Sequence, residues 1–250
     1  MNWKNFSLVP ILAWAVIMTL VACDGNNRPP AYSSSSPSSG SGASGTELRP
    51  INHPFKSEQS PPFWYIHLDT SGSMSGGRLE TAKQAILEFL DKAPKDLVFG
   101  LACFDGNGGT IEMVPFCENS RELIKYVLPG IGPGGGTPLG SAIRFSTKKL
   151  HEQEVRQFGH GQFNLLVVTD GVADDLPDMD SAVQEMEKPG KYGAPVNLYT
   201  IAFQLPSTHS LAAKSVKYLE ADDKEGLVAA FAEATRSELQ SIEDLLDLGK

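Results

Sequence analysis

The sequence predicts an α/β domain with a mostly parallel sheet covered by helices on both faces. Three observations predict it. From Pro61 onward, short apolar runs alternate with segments of helical periodicity, the pattern of a mostly parallel sheet. The first run, Phe63-Trp-Tyr-Ile-His-Leu-Asp69, is apolar at almost every position and bounded by Pro-Pro and a Ser/Gly loop, as a buried strand should be. The composition, 41% apolar and 20% charged over 250 residues, is globular and fits neither wholesale disorder nor a polytopic membrane protein.

The elements follow in order. After the strand over 63–69, Leu79, Ala82, Ile86, Phe89, Leu90 and Ala93 recur at helical spacing. Residues 97–104 and 110–116, separated by Asp105-Gly-Asn-Gly-Gly109, read as a hairpin. A helix over 120–128 follows, then another from Pro138 to about residue 152, with Thr137 as its N-cap and proline at its first position. Strands over 163–169, 196–203 and 216–220 alternate with helices over 177–187, 209–214 and 223–246.

Two segments precede this domain, which is assigned to residues 61–250. Residues 1–22 have a basic residue, Lys4, then an uncharged run from Phe6 that ends Leu20-Val21-Ala22-Cys23, the pattern of a secretory signal. The ending resembles a bacterial lipobox, in which Cys23 becomes the lipid-modified first residue. An uncleaved anchor helix is the alternative, since the run is just long enough to span a bilayer. Asp24 after that cysteine slightly favours the inner membrane over the outer. Residues 23–60 form a tether: 11 of the 13 residues 33–45 are Ser or Gly, a composition unable to offset the entropy of ordering. Its coil reach is roughly 30–35 Å.

A formal charge of −9, from 21 Lys+Arg against 30 Asp+Glu, argues against nucleic-acid binding as the main task. Three cysteines without a CxxC pair exclude a zinc ribbon or finger. Cys103 reads as a small buried hydrophobe, and a bridge to Cys117 is disfavoured because a tight hairpin sets Cys103 opposite about residue 111.

In parallel α/β folds, ligands sit beyond the carboxyl ends of the strands, where strand order reverses. The loops there carry Asp69-Thr70-Ser71-Gly72-Ser73, Gly134-Gly-Gly-Thr137-Pro138-Leu139 and Thr169-Asp170-Gly171. Two carboxylates, Asp69 and Asp170, and three hydroxyls, Ser71, Ser73 and Thr137, with no sulfur or imidazole, suit Mg²⁺ or Mn²⁺ and disfavour zinc and copper. Two carboxylates balance a divalent charge while neutral hydroxyls bind it weakly, so such a centre accepts a further carboxylate from outside.

Asp69-x-Ser71-x-Ser73, Thr137 in Gly-Gly-Thr-Pro-Leu and Asp170 in Val-Val-Thr-Asp-Gly resemble the metal-ion-dependent adhesion site of the von Willebrand factor type A family. The likeness covers about residues 62–241. It implies a doubly wound, six-stranded sheet with one antiparallel edge strand, here over 110–116. It also implies that Ser71, Ser73 and Thr137 bind Mg²⁺ directly or through water, with Asp69 and Asp170 beside them, and that a partner's Glu or Asp completes the coordination.

The acidic run Asp170, Asp174, Asp175, Asp178, Asp180 reads as a solvated face, or as a flank that biases partner choice. Gly132 to Gly136 reads as a flexible turn or as a place for close backbone approach. His67 is expected in the core, and no third ligand pairs with His151 and His160. Enzymatic readings fail on the residues: no GxSxG surrounds Ser71 or Ser73, Ser141-Ala142 stand where a P-loop needs its lysine, and Thr137 stands where the dinucleotide fingerprint needs its third glycine. No His or Glu is expected beside the three loops to act as a base. The expectation is therefore a non-enzymatic, Mg²⁺-dependent, membrane-tethered protein-binding module of the bacterial envelope. A scaffold or assembly subunit with a purely structural metal is the alternative.

Overall fold

The structure, a computed structural model, describes residues 60–247 apart from Val172, Pro206 and Ser207, with side chains to Arg236. The chain divides into two units, Met1–Gly45 and Thr46–Lys250. The signal segment, Cys23 and the tether lie outside the described residues. Among the described residues no helix is long and apolar enough to cross a membrane.

Strand β1 (Pro62–Leu68) is buried at all seven positions. Complete burial requires a partner strand on each side and a layer on each face. Its partners are β2 (Val98–Phe104) and β4 (Gln162–Thr169), both parallel, with Leu68 level with Cys103 and with Val168. β3 (Thr110–Val114) lies antiparallel at one edge of the sheet, and β5 (Val196–Phe203) and β6 (Lys217–Ala221) extend the other in parallel. The order is β3-β2-β1-β4-β5-β6. The chain therefore builds outward from β1 in one direction, then returns and builds from β4 in the other. The reversal places the carboxyl ends of β1 and β4 side by side, where a doubly wound sheet opens a crevice.

Alternate side chains of β1 serve two cores, as the period of two dictates. Trp64, Ile66 and Leu68 pack with the helices α1 (Arg78–Lys92), α2 (Ser120–Val127) and α5 (Lys224–Asp247). Phe63 and Tyr65 pack with α3 (Leu139–Arg156) and α4 (Leu176–Met186) on the opposite face. In α1 the residues read as its apolar stripe, Leu79, Ala82, Ile86, Phe89 and Leu90, are at most 3% exposed. Each large side chain buried this way contributes about 1.5–3 kcal/mol.

Three local expectations need correction. The segment 209–214 is a series of turns, not a helix; Leu211, its one fully buried residue, anchors it to the core. Thr137 does not cap α3, whose N-cap is Pro138 without a side-chain bond. Helix α3 also runs one turn further than expected, to Arg156. The hairpin has the expected register, with Cys103 opposite Ile111. Cys103 and Cys117 are free and buried, and burial pushes the Cys103 thiol up to about 12.

Candidate metal centre

Asp69 follows β1 and Asp170 follows β4, so the order reversal delivers two carboxylates to one crevice. The Asp69 backbone N–H continues the ladder by donating to Val168 O at 2.9 Å. Its carboxylate faces inward: Oδ1 accepts from Ser71 N at 2.8 Å and Oδ2 from Thr169 Oγ1 at 2.6 Å. Burial raises the Asp69 pKa most; bonds from Ser71 and Thr169 oppose it, and the Asp170 charge adds to the rise. A cation in this crevice would relieve that cost.

Oxygen atoms from the other loops form a chain. Ser71 Oγ and Ser73 Oγ are 2.8 Å apart, and Ser73 Oγ donates to Asp170 Oδ1 at 2.6 Å. Thr137 stands near them across the bend at Gly171: a Cβ built there would lie 3.4 Å from Thr137 Oγ1 and 3.7 Å from Ser73 Oγ. Gly171 thus keeps a small space open between two hydroxyls, which a side chain would fill. Asp69, Ser71, Thr137 and Asp170 are buried while Ser73 is exposed. The donor set is all oxygen, closed behind and open in front, and fits a hard divalent cation such as Mg²⁺. Among the described residues no three His, Cys, Asp or Glu side chains form a metal-holding group, so the centre depends on hydroxyls and only two carboxylates.

Backbone bonds tie the loops together. Gly72 N donates to Gly135 O at 2.9 Å, and Gly134 N donates to Thr70 O at 2.7 Å. Gly135 has φ of 80°, and a Cβ there would lie 2.7 Å from Gly106 O. Its glycine therefore serves a close approach between this loop and the β2–β3 turn.

The acidic run has a role in the framework that neither reading of the sequence supplied. Asp174 Oδ2 accepts from Thr137 N at 2.6 Å, and both Asp175 oxygens accept from Gly140 N, at 3.2 and 3.0 Å. These carboxylates satisfy N–H groups at the start of α3, where the helix dipole also favours anions. Thr137 is thereby spared capping duty and keeps its hydroxyl for the crevice. Asp178 pairs with Arg144 at 2.6 Å, and Asp180 with Lys214.

Two further residues border the centre. Arg78, the first residue of α1, donates from Nη1 to Asp170 Oδ2 at 2.8 Å and to Ser73 O at 3.2 Å. His209 is buried and comes from the β5–β6 connection, contrary to the expectation that no histidine stands beside these loops. Its Nδ1 accepts from Leu211 N at 3.0 Å. Burial lowers its pKa, and the neighbouring Gly171 backbone opposes that shift. Only a tertiary contact brings it there, so no local signal marked it. His67 is a core residue as expected: burial lowers its pKa to about 3, and the Phe104 ring lies 5.0 Å away. His151 lies 3.6 Å from Glu154 at the far end of α3, and His160 is exposed.

Residues 65–172, from within β1 to the bend after β4, match the family model of the von Willebrand factor type A domain. Over those residues the chain is similar to that family. Among solved structures, the chain is similar to a von Willebrand factor type A protein from Catenulispora acidiphila, with 18% identity, a TM-score of 0.57, and 70% of this chain and 42% of that one covered. It is similar to the open conformation of the pilus adhesin SpaC from Lactobacillus rhamnosus GG, with 14% identity, a TM-score of 0.59, and 78% and 31% covered. The vWF domain of the type V pili tip protein Mfa5 from Porphyromonas gingivalis is 12% identical at a TM-score of 0.51, with 74% and 97% covered. At such identities the likeness is one of fold, and the chain spans less than half of the first two proteins. No curated protein matches the sequence significantly.

Proposed function

We propose that this von Willebrand factor type A domain is a Mg²⁺-dependent protein-binding module that captures a carboxylate of its partner. The observation that carries the reading is the chain of oxygens Ser71, Ser73 and Asp170, with the Thr137 hydroxyl near it across the bend at Gly171. Ser71, Ser73 and Thr137 would hold the ion, Mg²⁺ or Mn²⁺, with Asp69 and Asp170 beside them. When bound, the ion supplies an exchangeable, Lewis-acidic position that an exposed Glu or Asp of a protein partner can occupy. The residues of the chain do the rest. Asp69 and Asp170 balance the charge, Thr169 and the Ser71 N–H orient Asp69, and Asp174 positions the Thr137 backbone. Similarity in fold to the pilus adhesin SpaC and to the PilB minor pilin of Streptococcus sanguinis supports an adhesive, non-enzymatic role.

The loops are already joined by their own backbone bonds, which favours a recognition role for the ion over a purely structural one. In this reading Cys23 carries a lipid and residues 23–60 tether the domain to the bacterial envelope, facing away from the membrane. The test is capture of partners from envelope extract with Mg²⁺ and with chelator, by wild type and by Asp69→Ala. Loss of capture in chelator and in the variant is expected; partners that persist after demonstrated metal removal would contradict it. For the tether, palmitate labelling should be present in wild type and absent in Cys23→Ala, and no label in wild type would leave an uncleaved helix.

A further inference from the structure

Arg78 stands in an electrostatically unfavourable place. It is the first residue of α1, where the helix dipole favours anions and disfavours cations. It is nevertheless held firmly from three sides. Nη1 donates to Asp170 Oδ2 at 2.8 Å and to Ser73 O at 3.2 Å, while Nε donates to Gln204 Oε1 at 3.0 Å. Gln204 is itself fixed: its Nε2 donates to Asp222 O at 2.8 Å and its N–H to Ala221 O at 2.8 Å. Its φ is 53°, a left-handed conformation that a residue with a side chain keeps only when its surroundings impose it. The Asp170 side chain is fully buried, whereas that of Arg78 is 40% exposed. None of these bonds uses Nη2. The result is a fixed guanidinium at the rim of the crevice, two hydrogen bonds from the hydroxyl chain.

We infer that Arg78 is a second recognition point of the site, pairing with the anionic ligand beside the metal position and weakening the hold on the metal itself. This rests on the carboxylate-capture reading and deepens it. The cation shares Asp170 with the metal and repels it, so the centre is poorer in negative charge than its two aspartates suggest. That same deficit draws in an acidic group of the partner, and a guanidinium with an unused amino group is suited to hold one carboxylate oxygen. The selected partner is an acidic segment, with one oxygen for the metal and another for Arg78. Within the acidic run Asp178 and Asp180 are paired with cations, and Asp174 and Asp175 accept the Thr137 and Gly140 N–H groups rather than facing outward unpaired.

The test uses the full chain, Mn²⁺ as the metal probe and acetate as the ligand probe. Mn²⁺ affinity is read by electron paramagnetic resonance, and acetate by its displacement of Mn²⁺-bound water in proton relaxation. In Arg78→Gln, Mn²⁺ affinity should rise roughly threefold as a nearby positive charge is removed, while acetate affinity falls about tenfold with the loss of a charged partner. Arg78→Lys restores the charge without the fork, so Mn²⁺ affinity returns to within about twofold of wild type and acetate binding recovers only in part. The opposite signs are the signature. If Arg78 merely held Asp170 in place, both affinities would fall together, and that result, or no change in either, overturns the inference. Wild type that binds Mn²⁺ but no acetate would overturn the carboxylate-capture reading as well. Wild type that binds both, with Arg78→Gln unaltered, would overturn the role of Arg78 alone.

Discussion

Asp170 and Asp174 stand four residues apart in the sequence but belong to two groups of carboxylates that behave differently. Asp69 and Asp170 leave the ends of β1 and β4 and point into a crevice of hydroxyls. Asp174, Asp175, Asp178 and Asp180 follow in the loop and in α4, and their oxygens are consumed by N–H groups of α3 and by Arg144 and Lys214. The first group has fixed geometry and incomplete charge compensation; the second is satisfied by the protein. What sets Asp69 and Asp170 apart is that each also binds a side-chain hydroxyl, from Thr169 and Ser73, beside one backbone N–H or one guanidinium, whereas the acidic run binds only backbone N–H groups and cations. Proximity in sequence does not decide this. The strand order does, because it sets which loops face each other.

This comparison can be broken most severely at the crevice. Asp170→Ala should lower Mg²⁺ affinity by about 10- to 100-fold, measured by titration calorimetry, while the circular dichroism of the fold is retained. Next comes a polar group that belongs to neither set. His67 is fully buried with its pKa lowered from 6.5 to about 3, so below pH 6.5 the unfolded chain binds more protons than the folded one. Stability therefore falls as pH drops from 6.5 towards 3, by up to about 1.4 kcal/mol per pH unit. Denaturant titrations at pH 7 and pH 5 should show a smaller loss in His67→Leu than in wild type.

A smaller effect is expected for Asp175→Ala, which removes the acceptor of the Gly140 N–H and should cost about 1 kcal/mol of stability. Its Mg²⁺ affinity should stay within about twofold of wild type, as expected of a capping group. Asp178→Ala should be smallest. Its pair with Arg144 has side chains 48% and 34% exposed, and such solvent-screened pairs contribute little to stability. A loss of metal affinity in either of these variants would erase the distinction between the two groups.

The sequence was most informative where chemistry is local. Strand β5 has the expected bounds, and the other strands fall within one or two residues of theirs, because apolar runs flanked by Gly, Pro and Ser are local signals. The five candidate ligands were legible for the same reason: each sits beside the strand or glycine that gives its loop its shape. The structure brings Ser71, Ser73 and Asp170 into direct contact and sets Thr137 against Gly171. Roles that depend on tertiary contact were not legible. Thr137 has the local appearance of an N-cap, whereas the Gly140 N–H at the start of α3 is taken by Asp175, 35 residues away. Arg78 meets Asp170, 92 residues further on, only through a tertiary contact. His209 reads as part of a short helix, whereas it is buried at the start of a run of turns, near the Gly171 backbone.

The most direct measurement is a parallel calorimetric titration of Mg²⁺ into wild type, Asp69→Ala and Asp175→Ala. A single site in wild type and in Asp175→Ala, with no binding in Asp69→Ala, is the expected result. Binding that is unchanged in Asp69→Ala, or lost in Asp175→Ala, would contradict the assignment of the metal centre to the ends of β1 and β4.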